Sequence, residues 1–124
     1  MHDDDWRSFP GAPAPGTVVG PSSAAPVGAT ALMVETGAGR FPLVLLRDDA
    51  GLRAFVNACP HQFLPLDHHG PRILSADGSK LMCTVHGAQF DAATGQGVGG
   101  MGLGCALDAV PVEETDGVIR IADA

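Results

Sequence analysis

Four side chains in the middle of the sequence form a set that can hold a metal: Cys59 and His61 in "NACPHQFLPLDHHG" (57–70), and Cys83 and His86 in "CTVHGAQFDAATG" (83–95). The pattern is C-x-H, a spacer of 21 residues, then C-x2-H. In an extended segment, residues two apart face the same way, so Cys59 and His61 project side by side. Cys83 and His86 sit one tight turn apart, and Gly87 lets the backbone bend beside them. The set offers two thiolates and two imidazoles. A single tetrahedral zinc accepts such a set, but its ligand pairs usually enclose two to four residues. One intervening residue is tight for that geometry. The spacing suits better a two-iron centre in which one iron takes both thiolates and the other both imidazoles, each loop giving one ligand to each iron.

The elements that must position these loops read as β. Gly and Pro make up 27 of the 124 residues, aromatic side chains are few, and no window keeps a helical period, which favours short strands and many turns. "TALMVET" (30–36), "FPLVLLRD" (41–48) and "GLRAFVN" (51–57) are expected strands. "RDDAGL" is the expected hairpin between the last two, and "SADGSKLMC" and "EETDGVIRIA" each place Asp-Gly before a further strand. Residues 10–29 hold five of the ten prolines and four glycines, so 1–29 is expected to be a partly flexible Pro/Gly/Ala-rich segment, with Thr17–Val19 able to add a short edge strand. Residues 30–124 form the expected domain, with a single core and metal-binding loops from about 57 to 105. The class is all-β and antiparallel.

Composition limits the partners. With 14 acidic against 7 basic side chains, the net charge is −7, a poor match to nucleic acid or an anionic membrane and a good one to a basic protein surface. No apolar run is long enough to cross a bilayer, and "MHDDDWRSFPG" has neither the basic start nor the apolar stretch of a secretory signal, so the expected compartment is the cytoplasm. Three cysteines in that compartment speak for metal or catalytic chemistry over a disulfide framework.

At this point the sequence resembles the Rieske iron-sulfur family. "CPHQFLPLD" looks like its first box and "CTVHGAQFDAATG" like its second, and the likeness runs from about Val44 to Ile121. The resemblance implies an antiparallel β-sandwich or barrel base with a small inserted cluster-binding subdomain. It implies one [2Fe-2S] cluster per chain, with Cys59 and Cys83 on the inner iron and His61 and His86 on the outer iron that accepts the electron. The respiratory-complex branch has a further cysteine in each box, joined as a disulfide; here those positions are Leu64 and Val85. The same branch has a serine and a tyrosine whose hydroxyls bond the cluster sulfurs, where this chain has Ala88 and Phe90. Fewer donors stabilise the reduced cluster less, so a potential at the low end of the Rieske range is expected, from about −150 mV to slightly above zero. Gln62, Thr84 and Val85 also depart from the frequent residues of the family, which marks a divergent branch.

The implied function is that of a one-electron carrier rather than an enzyme, between a flavoprotein reductase and a terminal oxygenase or other redox enzyme. The alternatives are an accessory subunit of the nitrite-reductase small-subunit kind and a zinc-binding regulatory module. The chain has no nicotinamide or flavin motif and no mononuclear iron site, so it is not a complete oxygenase. "GQGVGGMGLGCAL" (95–107) is expected to cover the cluster, with Met101 where proline is more usual. Cys105 is expected to be a small buried hydrophobe. His68 and His69 are expected to be polar loop residues, His2 to be disordered, and Phe41, Phe55, Phe63 and Phe90 to be core or shielding contacts.

Overall fold

The computed structural model describes Trp6 and residues 11–37, 39–49, 51–58, 65–68, 70, 72–84, 87–100 and 104–122. Among these described residues nine strands run in the order β1 (Val18–Pro21), β2 (Gly28–Thr36), β3 (Gly39–Asp48), β4 (Gly51–Val56), β5 (Lys80–Met82), β6 (Gln89–Asp91), β7 (Gly97–Gly99), β8 (Val112–Thr115) and β9 (Val118–Ile121). They form three antiparallel three-stranded sheets, β1-β9-β8, β2-β3-β4 and β5-β6-β7. Among the described residues no helix is long and apolar enough to cross a membrane.

The chain divides into two compact units, in line with the inserted subdomain that the resemblance implies and not around the single core expected from chain length. The first joins Met1–Val56 to Ala109–Ala124, and the second, Asn57–Asp108, is inserted in the chain between those pieces.

In the discontinuous unit, β2 and β3 pair over nine positions from Gly28 opposite Arg47 to Thr36 opposite Gly39. The central strand β3 is apolar without alternation, and Leu43, Val44, Leu45 and Leu46 are all buried. A strand covered on both faces has no solvent side to mark with polar residues. β4 follows through a tight connection with Asp48 opposite Gly51, as the turn residues foretell. β8 and β9 close with Thr115 opposite Val118 across Asp116 and Gly117, both at positive φ (56° and 78°). That two-residue turn matches the twist of the strands it joins, and Asp-Gly is the pair that tolerates it. β9 then alternates, with Ile119 and Ile121 buried.

The sheets of this unit begin upstream of residue 30: β1 pairs with β9 through Val18 opposite Arg120 and Pro21 opposite Val118, with a bulge between. Trp6 departs from the expectation of a loose N-terminus, being buried with its ring edge-on to Phe41 at 6.2 Å. Arg47 ties the two sheets of the unit, since its Nε donates to the Ala25 carbonyl (2.5 Å) while both terminal nitrogens meet the Glu114 carboxylate on β8 (2.8 and 3.1 Å).

The inserted unit is built differently. Among the described residues its strands are three residues long, and its buried side chains are Leu66, Ile73, Leu81, Cys83, Ala88, Phe90, Ala92 and Leu107, with Asn57 among them.

Candidate metal centre

The second ligand box grows out of the β5-β6 hairpin, with Leu81 opposite Phe90 and Met82 opposite Gln89. Beyond β5 the Cys83 amide donates to the Ala88 carbonyl (2.8 Å), and the Cys83 carbonyl accepts from Gly87 (2.9 Å). Gly87 has φ +70°, a conformation that costs a residue with a Cβ but not glycine. Both backbone groups of Cys83 are thus committed, its position is fixed, and its side chain is buried. The far end of the box is held by Asp91, whose Oδ1 accepts from the Ala93 and Thr94 amides (2.7 and 3.1 Å).

The first box is closed at its neck. Asn57, immediately after β4, is 6 % exposed and the only buried polar side chain among the described residues. Its Oδ1 accepts from the Leu66 amide (2.7 Å) and its Nδ2 donates to Asp67 Oδ1 (3.1 Å), so the residues on either side of "CPHQFLP" are drawn together. Leu66, fully buried, then reaches the second box: its carbonyl accepts from both the Thr84 amide (2.9 Å) and the Thr84 hydroxyl (2.7 Å). Two turns continue the first loop, from the His68 amide to the Pro65 carbonyl and from the Gly70 amide to the Asp67 carbonyl.

The glycine-rich segment 95–107 doubles back on itself. The Gly97 amide donates to Cys105, the Leu107 amide donates to Gly95, and Gln96 bridges Ala106. It also approaches the second box, for a Cβ on Gly100 would lie 2.7 Å from the Gly87 carbonyl oxygen. Only glycine fits there.

Of the four expected ligands, Cys83 is the one described, buried at the base of its box. Cys59, His61 and His86 lie outside the described residues, as do Phe63, Leu64, His69, Val85, Met101 and His2. What the structure brings together is the frame around them: Asn57 and Leu66 on either side of the first pair, Thr84 and Gly87 within the second. The two loops that carry the expected ligands are bonded to each other at Leu66 and Thr84. Ala88 and Phe90 are fully buried, and neither side chain carries a hydroxyl to donate toward the centre. Phe41 and Phe55 are buried as expected. Cys105 corrects the sequence reading, being half-buried rather than buried, because it stands on the returning limb of the glycine-rich loop. His68 is exposed.

The Asn57–Asp67–Leu66–Thr84 network was not read from the sequence. Its one local sign is an amide residue directly after an apolar strand; its partners lie across a loop, and nothing in spacing announces them.

The sequence profile of the Rieske [2Fe-2S] domain matches residues 17–109. No curated protein matches by sequence. Among solved structures, the ferredoxin of carbazole 1,9a-dioxygenase from Nocardioides aromaticivorans IC177 superposes with a TM-score of 0.69 at 22 % identity, over 90 % of this chain and 100 % of that one. The Sphingomonas yanoikuyae B1 ferredoxin gives 0.67 at 21 % identity, over 88 % and 99 %. The terminal oxygenase of carbazole 1,9a-dioxygenase from Nocardioides aromaticivorans IC177 gives 0.70 at 17 % identity, over 90 % of this chain but 31 % of the oxygenase. Profile, antiparallel fold and ligand boxes agree: the chain belongs to the Rieske [2Fe-2S] domain family, and a [2Fe-2S] cluster is its cofactor.

Proposed function

We propose that the protein is a one-electron carrier of the Rieske ferredoxin kind, taking electrons from a flavoprotein reductase and delivering them to a terminal oxygenase. The observation that carries this reading is the extent of the likeness. The chain covers the whole of the Nocardioides ferredoxin but under a third of the oxygenase from the same organism. Two further solved structures hold an oxygenase together with a ferredoxin of carbazole 1,9a-dioxygenase, which supports an oxygenase as the acceptor.

Bound, the cluster supplies a one-electron couple. Cys59 and Cys83 would hold one iron, and His61 and His86 would hold the other. The Cys83 backbone bonds and the Leu66–Thr84 contact keep the loops from rearranging as charge changes. Ala88 and Phe90, both buried, would offer no hydroxyl to the sulfurs of a bound cluster, so its reduced state would be less stabilised and its potential low. The excess of acidic side chains suits docking on basic partners.

Iron and acid-labile sulfide analysis with a visible spectrum distinguishes this reading from a zinc module. Voltammetry is expected to give about −150 mV to slightly above zero, and a value above about +200 mV would contradict the low-potential assignment. In a reconstituted system, oxygenase turnover should depend on added carrier. His86→Cys should give no cluster, or a lower potential with an altered paramagnetic spectrum; an unchanged rhombic spectrum would remove His86 from the site.

A further inference from the structure

We infer that Asn57 and Thr84 are positioning residues of the cluster, acting as a hydrogen-bonded clasp that holds the two ligand loops at a fixed separation. This deepens the carrier reading and rests on its assignment of the cluster ligands.

A centre that draws one sulfur and one nitrogen from each loop is sensitive to any slip between the loops. No disulfide can prevent that slip here. The chain has three cysteines, two are ligands, and the third, Cys105, has no cysteine left to join. The described bonds supply the missing constraint. Asn57 closes the first loop at the Leu66 amide and Asp67, and the Leu66 carbonyl takes two donors from Thr84, the neighbour of ligand Cys83. Leu66 is thus the shared hinge pin, gripped through its amide from one side and its carbonyl from the other. Burial of Asn57 and Leu66 keeps water from replacing these bonds, and a buried amide or carbonyl left without its partner is costly.

The test compares substitutions at Thr84 that separate hydrogen bonding from shape. Thr84→Val keeps the branched outline and loses the hydroxyl, whereas Thr84→Ser keeps the hydroxyl and loses the methyl. Each holoprotein is challenged with an iron chelator, and loss of the visible cluster bands is timed. With the clasp acting, Val loses cluster about fivefold faster than wild type, the equivalent of one net hydrogen bond, and Ser stays within twofold. A packing role gives the opposite order and overturns the inference, as does Val within twofold of wild type.

Asn57→Ala removes both bonds of the neck and should accelerate loss on the order of a hundredfold; loss within twofold of wild type overturns the inference. If Asn57→Ala does not fold, the Thr84 pair decides alone. Should wild type itself bind no iron and sulfide, the carrier reading falls together with the clasp. A loaded wild type with an unaffected Thr84→Val sinks the clasp only.

Discussion

The discontinuous unit and the inserted unit solve the same problem, keeping β hairpins in register, by different means. In the first, β2 and β3 share a long uninterrupted ladder, and four successive β3 residues are buried. In the second, the strands have three residues each, and register depends on side chains that bond backbone: Asn57 at Leu66, Thr84 at Leu66, Asp77 at Ser79 and Asp91 at Ala93. Long ladders over a covered apolar strand take their register from burial, with polar pairs such as Arg40–Glu35 and Arg53–Asp48 added at their margins. Short strands around a metal site bury little, so local polar bonds and the cofactor carry a larger share.

The largest effect should come from the first unit. Leu45→Ala, at a fully buried position of β3, is expected to cost about 2–5 kcal/mol in urea unfolding, because the ladder prevents collapse around the cavity. A cost below about 1 kcal/mol would deny that burial in β3 is what holds this unit.

Removing the cluster sharpens the contrast from the other side. Amides of β5 and β6 should exchange about a hundredfold faster in the apoprotein, while those of β2 and β3 keep their protection, as mass action requires when a ligand stabilises only the unit that binds it. Equal acceleration in both would show the two units to be one cooperative block.

A smaller and local effect is expected at Gly100. Gly100→Ala places a Cβ against the Gly87 carbonyl at a positive φ, and should cost about 1–3 kcal/mol, read as faster cluster loss and a lower melting temperature for the inserted unit.

The smallest effect concerns the Arg47–Glu114 pair of the first unit. The bonds from Arg47, and then from Ser22, hold the Glu114 carboxyl below its usual range. Its contribution is therefore present above the ordinary carboxylate pKa and fades as pH falls through the lowered folded value. The gap in melting temperature between wild type and Glu114→Gln should narrow from about pH 5 downward, and narrow also in high salt, since the pair is partly exposed. A gap that widens on acidification would assign Glu114 a different partner.

Legibility followed the same division. The β3-β4 and β8-β9 hairpins could be read because Asp and Gly at Asp48, Gly51, Asp116 and Gly117 announce turns that any chain of this pattern would make. β6 and β7 escaped the reading, since three residues are too few to show a period and Gly97 and Gly99 argue against a strand on propensity. Residue type and spacing raise the expectation of a ligand set, of which the structure describes Cys83 alone, buried. The frame of that set was not legible, because Asn57 meets Leu66 and Asp67 across the loop, and Leu66 meets Thr84 across a longer gap still. Cys105 misled for a related reason: cysteine is usually buried, but the loop that carries it folds back through backbone bonds that leave its side chain at the edge.

One feature of the first unit bears on how such a site can vary. Where the chain departs after β4 it also returns, with Phe55 bridged to Ala109 and the Val110 amide bonded to the Ala54 carbonyl (2.9 Å). Departure and return form a zipped stem. The entropy of closing an excursion from such a stem grows only with the logarithm of its length, about 0.6 kcal/mol for each doubling. Insertions and deletions in the metal-bearing excursion are therefore cheap for the unit that carries it, and the ligand loops can be lengthened, trimmed or exchanged for a different partner without redesigning the sheets beneath the stem.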